Sequence, residues 1–174
     1  METLEIEIKA YCDDHALVAD ELIGMGAQYV GKVTERDMYL NHPARDFKKT
    51  DEALRIRQSD GMAILTYKGP RIGSISKTRI EQEVHVSDYS SLLAVLEYLG
   101  FSKAGAVVKV RQKYNLNDIE ISLDTVEDLG TFVELEKMGV DHEAVEKELF
   151  RLAGELGLNR FERRSYLELK GAAI

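Results

Sequence analysis

Carboxylates and basic groups alternate with aliphatic residues along much of this sequence. EIEIK sets Glu5, Glu7 and Lys9 against Ile6 and Ile8, and RIEQEV aligns Arg79, Glu81 and Glu83. FVELE aligns Glu134 and Glu136, and IEISLD aligns Glu120, Ser122 and Asp124. The basic counterparts are Arg55 and Arg57 in LRIR, Lys68 with Thr66 in ILTYK, and Lys109, Arg111 and Lys113 in VKVRQK. In extended chain, alternate side chains face opposite ways, so each run has one charged and one apolar face. A solvated strand shows the same pattern. Antiparallel strands that close into a barrel turn the charged faces into a wet lumen, where charges need partners or bound ions. Carboxylates hold hard divalent cations, and Arg and Lys hold phosphate oxygens, so such a lumen suits a polyanion bridged by divalent metal.

Helices must cover the apolar faces. Asp13 or Asp14 caps a helix running to about Met25, with Gly26 after it. Asp88 caps one through Leu92, Leu93, Leu96 and Leu99, stopped by Gly100, and Asp141 caps one through Val145, Leu149 and Leu152, ending near Gly157. A side-chain oxygen at the start and a glycine at the stop is the expected punctuation. An internal repeat links these elements. Glu-x-Glu at 5/7, 81/83 and 134/136 is followed by a helix, a glycine and then Arg-x-x-Tyr at 36/39, 111/114 and 163/166. Its physical reading is strand–helix–strand units around a common centre. Two charged loops, NHPARDFKKTDE at 41–52 and GPRIGS at 69–74, are candidate lids over the lumen.

The bulk numbers agree with one domain spanning 1–174. The chain has 174 residues, 44% hydrophobic and 31% charged, without a low-complexity linker. Its formal charge of −8 argues against a general nucleic-acid binder. No apolar run reaches membrane-spanning length and no signal-peptide pattern opens the chain. Cys12 is the only cysteine, which excludes an internal disulfide and fits a cytoplasmic location. His15, His42, His85 and His142 lack ligand spacing and read as structural.

The runs EIEIK, DEALRIR, LTYKGP, KTRIEQEV, KVRQKY and LDTVEDLGTFVELE together resemble the CYTH superfamily, or triphosphate tunnel metalloenzymes. The stretch YLNHPARDFKKTDEALRIR looks closest to its class IV adenylyl cyclase branch, and the resemblance runs in order from about residue 2 to SYLEL at 165–169. It implies an α+β fold, a closed antiparallel tunnel of about eight strands flanked by helices. It implies Mg2+ or Mn2+ as cofactor, a triphosphate such as ATP as substrate, and a homodimer. Carried over residue by residue, it makes Glu5, Glu7, Asp124, Glu134 and Glu136 the metal ligands. It makes Lys9, Arg55, Arg57, Lys68, Arg79, Lys109 and Arg111 the substrate-binding set, and Glu7, Lys9 and Lys68 the catalytic set. Two readings stay open for Arg79, which either touches phosphate or buttresses Glu81. Lys9 either contacts phosphate or the attacking group, or pairs with a nearby acid. Lys113 reads as solvent-facing at a strand end.

The implied reaction is attack of the ATP ribose 3′-oxygen on the α-phosphorus, giving cyclic AMP and pyrophosphate. A triphosphatase acting on tripolyphosphate, thiamine triphosphate or a nucleoside triphosphate uses the same tunnel with water as nucleophile. A non-catalytic triphosphate-binding module is the third alternative.

Overall fold

In the computed structural model, which describes residues 4–72 and 76–171, the charged and apolar faces of the sequence become the inner and outer faces of one antiparallel barrel. The strands are β1 (Leu4–Tyr11), β2 (Gln28–Asn41), β3 (Ala53–Ser59), β4 (Met62–Lys68), β5 (Lys77–Arg79), β6 (Glu81–Val86), β7 (Ser102–Leu116), β8 (Ile119–Val126) and β9 (Gly130–Gly139). They lie in the order β5-β1-β9-β8-β7-β2-β3-β4-β6. The two edge strands, β5 and β6, are consecutive in the chain with only Ile80 between them. There the chain passes from pairing with β1 to pairing with β4, so covalent continuity joins the two edges. This division of one run explains nine strands where about eight were expected.

Five helices accompany the barrel among the described residues: α1 (His15–Gly24), α2 (Phe47–Thr50), α3 (Tyr89–Tyr98), α4 (His142–Glu155) and α5 (Tyr166–Leu169). Asp14, Asp88 and Asp141 cap α1, α3 and α4 by accepting from Leu17, Ser91 and Ala144 N–H groups. Asp13, the other candidate for the first cap, instead pairs with Arg160 at 2.6 Å. Val18 and Leu22 of α1 and Val145, Leu149 and Leu152 of α4 pack over Ile6, Ile8 and Leu135. Leu96 of α3 packs over Leu54 and Ile56, while Tyr166 and Leu167 of α5 pack with Val107 and Phe132. Burial of these aliphatic faces, at about 25 cal/mol per Å2, is the main force holding the strands' charged faces inward. Close approach of α4 needs Gly139, where an added Cβ would lie 2.7 Å from Val145 Cγ2.

The repeat holds for two of its three units. The segments β1–α1–β2 and β6–α3–β7 are strand–helix–strand, but among the described residues β9 and α4 are followed by α5 rather than a strand. The 41–52 stretch is pinned rather than free. Asp46 caps α2, Asn41 Oδ1 accepts from His42 and Phe47 N–H, and Phe47 is buried. In the 69–74 stretch, Arg71 is tied to Asp51 and Glu168, while Gly73 and Ser74 lie outside the described residues. His15 contacts the Phe132 carbonyl, and His42 Nδ1 accepts from Ala44 N–H, both backbone-ordering roles. No described helix is long and apolar enough to cross a membrane.

Candidate active site: a charge-lined tunnel

The barrel encloses a cavity of about 890 Å3. Pairing register decides which charges meet there. On β1, Glu7 lies opposite Glu136 and Lys9 opposite Glu134 of β9; on the other side, Glu5 faces Arg79 and Glu7 faces Lys77 of β5. Strand β3 supplies Arg55 and Arg57, β4 supplies Lys68, and β7 supplies Lys109 and Arg111. These side chains fall into two neighbouring groups.

The first group is rich in cations. Arg57 makes a two-point contact with Asp37, at 2.7 and 2.8 Å, and reaches Glu35 at 3.1 Å. Lys109 lies 3.0 Å from each of the same two acids. Burial pushes the Glu35 carboxyl up, but Arg57, Lys109 and Arg111 outweigh it and hold it at about 2. Arg55 donates to Thr66 Oγ1 and lies 3.5 Å from Glu83. Arg79 lines the cavity, and among the described residues it makes no ion pair with Glu81, whose charged neighbours are Arg55 and Lys68.

The second group is rich in acids. Glu5, Glu7, Glu81 and Glu136 share it with Lys68 and Lys77. Burial, then the Glu5 and Glu7 charges, push the Glu136 carboxyl up to about 8. Burial and a hydrogen bond to Glu5 likewise push Glu81 up to about 9. Glu81 Oε2 is buried without a well-formed hydrogen bond, although Lys68 Nζ is close to it. Raised carboxyls and an under-satisfied oxygen are what a site short of positive charge shows, and hard oxygen donors suit Mg2+ or Mn2+. No group of three or more His, Cys, Asp or Glu side chains among the described residues forms a ready-made metal cage. The donor set is of the hard-oxygen kind that suits a divalent cation.

Two residues named from sequence sit elsewhere. Asp124 is wholly buried and does not line the cavity; both its oxygens are taken, by Arg111 and the Tyr166 hydroxyl. Lys9 is also absent from the cavity wall. Its Nζ donates to the Arg164 carbonyl, lies 3.9 Å from Glu134 and sits 4.2 Å from the Tyr166 ring centroid. Burial, then the neighbouring Lys77, push its amine down to about 7. Lys113, expected in solvent, lines the cavity beside Glu120 at 3.4 Å.

Sequence reading missed Glu35 and Asp37 of β2, although acid-x-acid in TERDMY is the same alternation found elsewhere. It also missed Lys77, two residues before Arg79 and on the same face. Tyr166 carried no charge signal.

Residues 3–166 match the CYTH domain. The chain belongs to the CYTH family. A Methanocaldococcus jannaschii protein, provisionally named an adenylate cyclase, is 42% identical over 97% of this chain and 99% of its own. The adenylate cyclase CyaB of Aeromonas hydrophila is 29% identical over 78% of this chain and 71% of its own. Among solved structures, a Pyrococcus horikoshii protein superposes with a TM-score of 0.88 at 40% identity, covering 95% of this chain and 97% of that one. A Hippeastrum protein described as having dominant triphosphatase activity shares the fold, with a TM-score of 0.72 at 21% identity over 99% of this chain and 98% of that one.

Proposed function

We propose that this CYTH tunnel binds ATP with Mg2+ or Mn2+ and converts it to cyclic AMP and pyrophosphate. The observation that carries the reading is a shared cavity: Glu7 faces Glu136 across β1 and β9 in the space that Arg57 and Lys109 also line. The cyclase names of the M. jannaschii and A. hydrophila relatives support the choice of reaction.

In this reading Arg55, Arg57, Lys109 and Arg111 grip the phosphates, with Arg79 as a further contact. Their partner acids hold the guanidinium and ammonium groups in place before substrate arrives, so little reorganisation is needed on binding. Lys68, held between Glu5 and Glu81, stays an ammonium and acts as a point charge. Glu5, Glu7, Glu134 and Glu136 would hold the divalent cation, which when bound draws charge from phosphoryl oxygens. Glu7 or Glu136 receives the proton of the ribose 3′-hydroxyl as its oxygen attacks the α-phosphorus and pyrophosphate leaves. Asp124 is assigned to orienting Arg111 rather than to metal, and Lys9 to anchoring the C-terminal segment.

The second reading, a triphosphatase, rests on the same grip, because the lining charges recognise a triphosphate rather than a nucleoside. Incubating the protein with ATP and with tripolyphosphate, each with Mg2+ and with Mn2+, and separating the products by chromatography tests the proposal. Cyclic AMP with pyrophosphate supports the cyclase; inorganic phosphate alone supports the triphosphatase; binding without turnover would leave only a triphosphate receptor.

A further inference from the structure

We propose that Tyr166 is a positioning residue: its hydroxyl fixes Asp124, and through it the Arg111 guanidinium, in the orientation that grips triphosphate. This rests on the tunnel being a triphosphate site. Tyr166 opens α5, whose start is set by a reciprocal cap between Ser165 and Glu168. The chain arrives there stitched to β1, with Tyr11 N–H donating to the Arg160 carbonyl at 2.9 Å and Glu162 N–H to the Lys9 carbonyl at 2.8 Å. The Lys9 ammonium adds a third tie, to the Arg164 carbonyl. The phenol is thereby carried into the barrel, where it is 6% exposed.

Inside, the Tyr166 hydroxyl donates to Asp124 Oδ2 at 2.8 Å. Asp124, which faces Arg111 across β7 and β8, accepts from Arg111 Nε on its other oxygen at 2.7 Å and from Arg111 Nη2 on Oδ2. Arg111 Nη2 also donates to Glu134. Two carboxylates thus compete for one guanidinium edge. The phenol biases that competition by fixing the rotation of Asp124, and with it the plane of Arg111. Asp124 is completely buried, so a lost hydroxyl would remove a partner from a carboxylate shielded from bulk solvent. The Tyr166 ring does separate work under the Lys9 and Lys109 ammonium groups, at 4.2 and 5.8 Å from its centroid. Tyr166→Phe keeps the ring and removes only the hydroxyl.

The test is a double-mutant cycle on the full chain, with affinity for inorganic tripolyphosphate in Mg2+ read by calorimetry and folding by thermal unfolding. Tyr166→Phe should weaken binding by about two- to tenfold, the span of one hydrogen bond. The same change in an Arg111→Gln background should have almost no effect, because the group it positions is gone. Tyr98→Phe, at a tyrosine that is 92% exposed, should bind like wild type. Equal losses in both backgrounds, or wild-type affinity in Tyr166→Phe, would overturn the inference. If Tyr166→Phe does not fold, Asp124→Asn carries the same cycle with the same two outcomes. Wild-type protein that binds no tripolyphosphate contradicts the tunnel reading itself. Binding wild type with an unaltered Tyr166→Phe contradicts only the role of the phenol.

Discussion

Glu7 on β1 lies directly opposite Glu136 on β9, two carboxylates paired across an antiparallel ladder inside a barrel. Like charges directly opposite each other oppose folding. Glu136, raised to about 8 by burial and then by Glu5 and Glu7, is favoured in its protonated form by the fold. A carboxyl raised on folding costs stability as pH climbs from its unfolded value through its folded one. Glu136→Gln should therefore melt higher than wild type above pH 8 without metal, yet bind Mg2+ more weakly and turn over less. A variant that melts lower and keeps its activity would remove Glu136 from the metal site.

Arg57 carries a second expectation. A truncated charge-assisted contact costs about 1.5–3 kcal/mol, or roughly tenfold or more in affinity. Arg57→Lys keeps a positive charge near Glu35 and Asp37 but loses the two-point fork. Its tripolyphosphate affinity should fall at least severalfold, whereas Lys32→Ala, exposed on β2, should leave it unchanged. Equal effects from the two changes would separate Arg57 from phosphate binding.

The acid limb of stability should report Glu35. Its folded carboxyl sits at about 2 against a reference of 4.5, so the stability it contributes is complete above pH 4.5 and disappears as pH falls toward 2. The melting gap between wild type and Glu35→Gln, followed from pH 7 to pH 2, should close over that window. A constant gap would show that its charge contributes nothing.

Gly139→Ala tests the seating of α4. Its Cβ would press into Val145 Cγ2, and relieving an overpacked contact of this kind costs about 1–3 kcal/mol. Chemical denaturation should show the loss, with the tripolyphosphate affinity retained. An unchanged midpoint would mean that α4 shifts freely.

Much of the barrel was legible because alternation is a strong signal once several runs share it: Glu5, Glu7, Arg55, Arg57, Lys68, Lys109, Arg111, Glu134 and Glu136 were all assigned to one face. Helix starts were legible for a local reason, an aspartate oxygen meeting an N–H three residues on. Alternation says which way a side chain points, but not what already satisfies it. That is why Asp124 read as a free ligand although Arg111 and Tyr166 occupy it. For Lys9 the pairing with a nearby acid, one of its two open readings, is present, with Glu134 across the ladder at 3.9 Å; the carbonyl that also holds it comes from residue 164, far along the chain. The exchange of strand partners at Ile80 depends on long-range register, which a local pattern does not encode.

The nucleophile, not the triphosphate grip, separates a cyclase from a hydrolase. A cyclase needs the ribose 3′-hydroxyl as nucleophile, whereas a terminal-phosphate hydrolase does not use it. The decisive measurement is product chromatography after parallel incubation with ATP and 3′-deoxy-ATP, with affinities of both nucleotides measured alongside. ATP should give cyclic AMP and pyrophosphate, and 3′-deoxy-ATP should bind nearly as tightly without reacting. Inorganic phosphate from both nucleotides, with cyclic AMP from neither, would contradict the cyclase reading.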